Sequence, residues 1–224
     1  MVGKRKYAEG CAVAYALDLI GERWALLIVR ELLLGAKRFT DLRGGIAGVS
    51  ADVLSQRLRE LIDVGVIAQV SVPPPHASQM YALTRWGAEL RPVVDQLALW
   101  GSRSAAFDPT LPTSVDALAL SMDLLFDPRV AGEHSTVIAL NIDDQRFLAE
   151  AVGGHLDVRR SDATSAAGML ATSRKTLSSM LYGGRTLADV EAQGEAEVKG
   201  DRVAVQRLMS SIVSPLDATP AGSG

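Results

Sequence analysis

No run in this sequence approaches the ~18 consecutive apolar residues that a membrane-spanning helix needs. The best candidate, "WALLIVRELLLG", is broken by Arg30 and Glu31. The first ten residues, "MVGKRKYAEG", are basic and lack the apolar core of a secretion signal. With one cysteine, Cys11, the chain can form no internal disulfide, which points to a reducing, cytoplasmic setting. There is no G-x-S-x-G, no phosphate loop and no G-x-G-x-x-G. The three histidines, His76, His134 and His155, are scattered, and no Cys or His pair has metal-ligand spacing. These absences argue against an enzyme and call for no metal or other cofactor.

What remains is an ordinary globular composition, 48% hydrophobic and 22% charged, long enough for two modest domains. The net charge of −3 hides an asymmetry. Residues 1–105 hold 13 Lys and Arg against 10 Asp and Glu, whereas residues 106–224 hold 10 against 16. The sign changes at "FDPTLPT" (107–113), where two prolines interrupt any helix, so this segment is read as a linker. It separates a domain at 1–106 from another at 113–216.

In the first half, "CAVAYALDLIG" and "RWALLIVRELLLG" have helical periodicity, and each ends at a glycine. "RFTDLRGGIAG" gives a short helix, with Phe39 and Leu42 inward, and a glycine-rich turn. Ser50 then caps "SADVLSQRLRELIDVGVI". On a helical wheel Ala51, Leu54, Leu58, Leu61 and Ile62 share one side, while Asp52, Gln56, Arg59 and Glu60 lie opposite. After Gly65 the period shortens to that of a strand, "VIAQVSV", followed by the tip "PPPHAS" and a second strand, "QMYALT". Two short helices and a β-hairpin are the plan of a winged helix-turn-helix, whose polar helix face enters a major groove.

"LDLIGERWALLIVRELLLGAKRFTDLR", "GVSADVLSQRLRELIDVGVI" and "YALTRWG", in that order, resemble the HxlR-type family of bacterial transcription regulators over residues 7–103. The resemblance implies a cytoplasmic homodimer on a double-stranded DNA operator, more often a repressor than an activator. Its interface would be the N-terminal helix and the helix beyond the wing, where Leu90, Val93, Val94, Leu97 and Trp100 fall on or near one stripe. The candidate DNA contacts are Arg38, Thr40 and Arg43, then Ser50, Asp52, Val53, Ser55, Gln56, Arg57 and Arg59, with His76 and Ser78 in the wing. Asp52 and Ser78 depart from the family, which commonly has basic residues there; His76 or Arg85 would then take over the wing's grip. Cys11 stands where some members carry a thiol that senses oxidants or electrophiles; the other reading is an inert apolar residue.

The second half alternates helices and strands in an α+β plan around an antiparallel sheet. "SVDALALSMDLLF" is a helix, "HSTVIALNID" and "QRFLAEAVGG" a hairpin turning at Asp143-Asp144, and "HLDVRRS" and "SAAGMLAT" further strands. Two helices, a strand and a closing helix capped by Asp201 follow. The run from 171 to 209, "ATSRKTLSSMLYGGRTLADVEAQGEAEVKGDRVAVQRLM", carries a resemblance to sterol-carrier-protein-type lipid-binding domains that spans roughly residues 113–213 and is clearest after residue 162. That resemblance implies a shell around an apolar tunnel and a hydrophobic small-molecule effector, with Met122, Leu125, Met169, Leu177, Met180 and Leu181 as candidate lining. A filled core, serving only dimerisation or interaction, is the alternative reading of the same residues.

Overall fold

The computed structural model describes residues 6–72, 78–132, 134–162 and 165–214. The chain divides into two compact units, Met1–Val94 and Asp95–Gly224. The division falls within one helix, twelve or more residues before the proline-bearing segment at 107–113.

In the first unit, helices α1 (Ala12–Ile20), α2 (Ala25–Leu32), α3 (Phe39–Gly45) and α4 (Ala51–Asp63) precede the hairpin β1 (Ile67–Val72) and β2 (Ser78–Leu83). Their shared core is Ile28, Val29, Leu32, Leu42, Ile46, Leu54, Leu58, Leu61, Val66 and Ile67. Thus one side of α4 is buried at every helical repeat, as its wheel requires. Ser50 caps α4 by accepting the Val53 N–H at 3.3 Å, and Gly65 ends the turn beyond it at φ +76°. The hairpin is antiparallel with Ile67 opposite Leu83. Lys37 adds a rung, exchanging backbone hydrogen bonds of 2.9 and 2.8 Å with Tyr81, so the wing is tied to the α2–α3 connection.

The "TRWG" run has a local physical reason. Thr84 caps α5 (Arg85–Ala88) through the Gly87 N–H at 2.9 Å, and its hydroxyl donates to Gly65 O at 2.7 Å. A Cβ on Gly87 would lie 1.9 Å from Val66 O, so only glycine permits this approach. The helix expected after Thr84 is therefore two: α5, then α6 (Arg91–Ser102).

The second unit is a five-stranded sheet with helices on one face. Its elements are α7 (Val115–Leu124), α8 (Pro128–Ala131), β3 (Thr136–Ile142), β4 (Gln145–Val152), β5 (His155–Arg160), β6 (Gly168–Thr172), α9 (Arg174–Tyr182), α10 (Leu187–Ala192), β7 (Ala196–Gly200) and α11 (Arg202–Ser210). The strand order is β5-β4-β3-β6-β7. Asp143 and Asp144 both take positive φ in the β3–β4 turn, the geometry of a tight two-residue hairpin. The wholly antiparallel sheet expected from sequence is corrected at one place: β6 runs parallel to β3. The 160–168 connection carries the chain from edge strand β5 to the far side of β3, and the parallel pairing follows. Ile138, Leu140, Ile142, Phe147, Leu156, Val158 and Leu170 are buried on one face. Arg160 on that face pairs with Asp116 of α7 and lies over the Phe147 ring at 5.0 Å, which fixes α7 to β5. The segment read as a linker is packed here: Pro109 O accepts from Ser178 Oγ at 3.0 Å, and Phe107 meets the Tyr182 ring edge-on at 5.5 Å.

Candidate nucleic-acid interface

Capping and core burial set which α4 side chains reach solvent. Asp52, Gln56 and Arg59 are exposed, and Arg38, Thr40 and Arg43 of the preceding helix are exposed as well. Val53 and Ser55 are half-buried on the flanks, while Ser50 is engaged as the cap. Gln56 donates to Glu60 one turn on at 3.0 Å. Arg59 forms no ion pair among the described residues, so its guanidinium is available to an incoming acceptor.

Arg57 is placed differently. Its side chain is 13% exposed and pairs with Glu60 and, at 3.5 Å, with Glu22 in the α1–α2 turn. It braces α4 against the helices beneath. Of the wing candidates, His76 lies outside the described residues; Ser78 begins β2 opposite Val72. Arg85, offered as a substitute, is exposed at the start of α5.

The foundation of the helix pair is a buried charge cluster that the sequence reading missed. Glu31, fully buried in α2, accepts from Lys37 Nζ at 2.6 Å and from Arg30 at 2.8 Å. Arg30 also reaches Gly45 O at 3.5 Å. A Cβ on Gly45 would stand 2.2 Å from the Glu31 carboxylate, so the second glycine of "RGG" makes room for it. The "ELLLGAK" spacing of a carboxylate and a lysine six apart is the only trace of this in the sequence.

Large exposed apolar side chains include Val13, Tyr15 and Leu17 on α1, and Val93, Leu97 and Trp100 on α6. The latter three recur at i, i+4 and i+7, one stripe of the helix. Cys11 is exposed as the N-cap residue of α1, and the Ala14 and Val13 N–H groups lower its thiol pKa. In the second unit, Met122, Leu125, Leu177 and Leu181 are core residues, Met180 is half-buried, and Met169 lines an open cavity on the sheet. Among the described residues no group of three His, Cys, Asp or Glu side chains has metal-binding geometry, and no helix is long and apolar enough to cross a membrane.

A capped helix with a solvent-facing polar side, a short helix packed before it and a hairpin after it define a winged helix-turn-helix protein of the DNA-binding class. The HxlR-like helix-turn-helix family model matches residues 19–108. The chain is 34% identical over 87 residues to the HTH-type transcriptional regulator YvaP of Bacillus subtilis, 39% of this chain and 81% of that one. It belongs to this family of transcription regulators. It is 40% identical over 93 residues to the regulator Rv3095 of Mycobacterium tuberculosis, 42% of this chain, but spans only 58% of that protein's length. Among solved structures, the redox regulator HypR in its oxidised form aligns at 29% identity and a TM-score of 0.41, over 43% of this chain and all of that one.

The second unit matches an alkyl sulfatase C-terminal family model over residues 108–217. The match is to that family and not to the sterol-carrier type that the sequence resembles, so the sterol-carrier resemblance is not shown.

Proposed function

We propose that the protein is a cytoplasmic transcription repressor that binds operator DNA as a homodimer, with α4 in the major groove and the wing beside it. One observation carries this reading: Asp52, Gln56 and Arg59 form the exposed side of a helix whose opposite side is locked by Leu54, Leu58 and Leu61. Arg59 and Gln56 are side chains suited to guanine and adenine edges respectively. The exposure of Arg38, Thr40 and Arg43 supports a phosphate-holding role for them. The exposed apolar side chains of α1 and the stripe on α6 are the surfaces that a two-fold dimer would cover. The second unit binds a hydrophobic small molecule whose differential affinity for two dimer geometries controls release. The protein is not an enzyme in this reading, and its apolar side chains in the second unit serve core and ligand only.

The test is selection from a randomised duplex pool by the full chain. An enriched inverted repeat, with half-sites spaced about one helical turn or a multiple of it, supports the reading. Recovery of no common sequence, at low salt and at physiological salt, rejects it.

A second reading rests on Cys11. Cys11 is exposed at the start of α1 next to the exposed Val13 and Tyr15, and its thiol pKa is lowered, which supports a redox role at the proposed dimer surface. Oxidation there would act through an intersubunit disulfide or a mixed adduct, the chain having no second thiol.

A further inference from the structure

The sheet of the second unit has two outer strands, β5 and β7. An outer strand presents a row of backbone N–H and C=O groups to anything that can pair with them, and many proteins cover it. β5 is closed in this way: α7 packs on it, and Leu156 and Val158 are each 4% exposed. β7 is open. Glu197, Lys199 and Gly200 are exposed, and Ala196 and Val198 are half-buried.

The hydrogen-bond pattern decides which groups of β7 point outward. On the β3 side of β6, Thr172 O accepts from the Asp143 N–H at 3.3 Å; on the β7 side, Ala167 O accepts from the Asp201 N–H at 2.9 Å. Alternation along an antiparallel ladder then gives Met169 and Ala171 the inward bonds with Lys199 and Glu197. The N–H and C=O groups of Ala196, Val198 and Gly200 turn away from the sheet, and among the described residues none of them meets a partner. The Glu197 and Lys199 side chains stand on the face opposite to that of buried Leu170, paired with each other at 2.9 Å and mostly exposed.

An edge strand that pairs with its own copy across a two-fold must set outward residues opposite outward residues. The registers that keep at least three residues of β7 paired are centred on Glu197, Val198 or Lys199. The first sets Glu197 against its own copy and the last sets Lys199 against its own, and like charges directly opposite are destabilising. The register centred on Val198 pairs the whole strand and puts Glu197 opposite Lys199 of the second copy, twice. Small residues, Ala196 and Gly200, meet at both ends, so no large side chain obstructs the approach. We infer that β7 pairs antiparallel with β7 of a second copy of this chain, about a two-fold at Val198, joining two sheets into one. This contact is separate from the apolar stripe of α6, and its test involves no DNA, so its failure would leave the operator-binding reading untouched.

The experiment uses the full chain carrying Cys11→Ser, so that introduced cysteines are the only thiols. Glu197→Cys and Lys199→Cys are made in it separately. Opposed residues of a non-hydrogen-bonded pair have Cα atoms about 4.5 Å apart, within disulfide reach, whereas each residue and its own copy stand about 7–8 Å apart, beyond it. The two variants are mixed at micromolar concentration, left to exchange subunits and oxidised mildly with copper phenanthroline. A disulfide from position 197 to position 199 should then join two chains, seen on a non-reducing gel and located by peptide mass spectrometry. Neither variant alone should link. Val198→Pro, added to both, deletes an outward N–H and no inward one, so it should abolish the link while circular dichroism shows the fold intact. Should that variant not fold, the contrast between single and mixed samples decides alone. Linkage in either single variant overturns the register, and linkage that survives a folded Val198→Pro overturns the backbone pairing. No linkage in any sample rejects a second copy as the occupant of this edge.

Discussion

Lys37 Nζ lies 2.6 Å from Glu31 Oε2 in the interior of the helix-turn-helix, with almost nothing of either side chain at the surface. The pair joins α2 to the segment that starts α3 and, through the Lys37–Tyr81 rung, to the wing. Removing one partner leaves a buried charge unmatched, which costs about 3–5 kcal/mol. Glu31→Ala should therefore lower the denaturation free energy of the first unit by about that much, read in urea by the fluorescence of Trp24. A loss below about 1 kcal/mol would show that the cluster relaxes to water on its own. Gly45→Ala probes the same cluster from the other side. It should destabilise by about 1–3 kcal/mol, as overpacking of a filled site does.

On α4, neighbouring arginines should separate in their effects. Arg59→Ala and Gln56→Ala should each weaken binding to the selected operator by about 1–3 kcal/mol, the value of a base contact, with an unchanged melting temperature. Arg57→Ala should instead lower the melting temperature, because its side chain braces Glu22 and Glu60. Fluorescence anisotropy and thermal denaturation on the same three variants decide it. If Arg57→Ala alone loses DNA and keeps its melting temperature, the reading face has been misassigned.

How much of this was legible in the sequence depends on range. The α4 faces, the Ser50 cap, the hairpin and the Asp143-Asp144 turn were readable because each is set by residues within a few positions of one another. The parallel β3–β6 pairing was not, because it depends on where a 160–168 connection lands, and strand patterning is the same for either direction. The Glu31–Lys37–Gly45 cluster was hidden for a similar reason: an acid on an apolar helix reads as a surface residue until the chain folds its partners over it. Arg57 sat on the flank of the wheel, and only the position of Glu22 shows which way it turns. Residue type alone marks the candidate ligand residues: Met122, Leu125, Leu177 and Leu181 fill the core, whereas Met180 is half-buried and Met169 lines a cavity on the sheet.

The thiol of Cys11 can be tested without any oxidant. The backbone N–H groups of Ala14 and Val13 at the start of α1 favour its thiolate, so its pKa is lowered from the ordinary thiol value. The rate of alkylation by iodoacetamide should rise with pH through a midpoint below that of a free cysteine thiol titrated alongside. A midpoint at or above that value removes the physical basis for sensing at this position.

Assembly should depend on the apolar stripe of α6. Trp100 is 74% exposed and shares its stripe with Val93 and Leu97. A patch of this kind marks an interaction surface. Light scattering at micromolar protein should give a dimer, and Leu97→Glu or Trp100→Glu should shift it toward monomer with helix content preserved. A wild-type monomer, or charged variants that remain dimeric, would place the interface elsewhere.

The last prediction concerns what each unit can do alone. Residues 1–94 have their own core, from Ile28 to Ile67, and carry the described candidate DNA contacts. The segment from Phe107 to Pro109 is held by Tyr182 and Ser178, so it belongs to the second unit rather than to a free tether. A fragment ending at Ser104 keeps all of α6 and gives up none of the first core, whereas residues 105–214 keep the anchors of the second. The shorter fragment should therefore fold, dimerise and hold the operator within about tenfold of the full chain, and lose any response to small molecules. A ligand acting through the second unit needs only the usual coupling of about 1–3 kcal/mol to release the full-length protein. The measurement is operator affinity of fragment and full chain side by side, with and without ligand. A folded fragment that cannot bind DNA would mean that the second unit is part of the DNA-binding architecture, and its role as a separable sensor would fall.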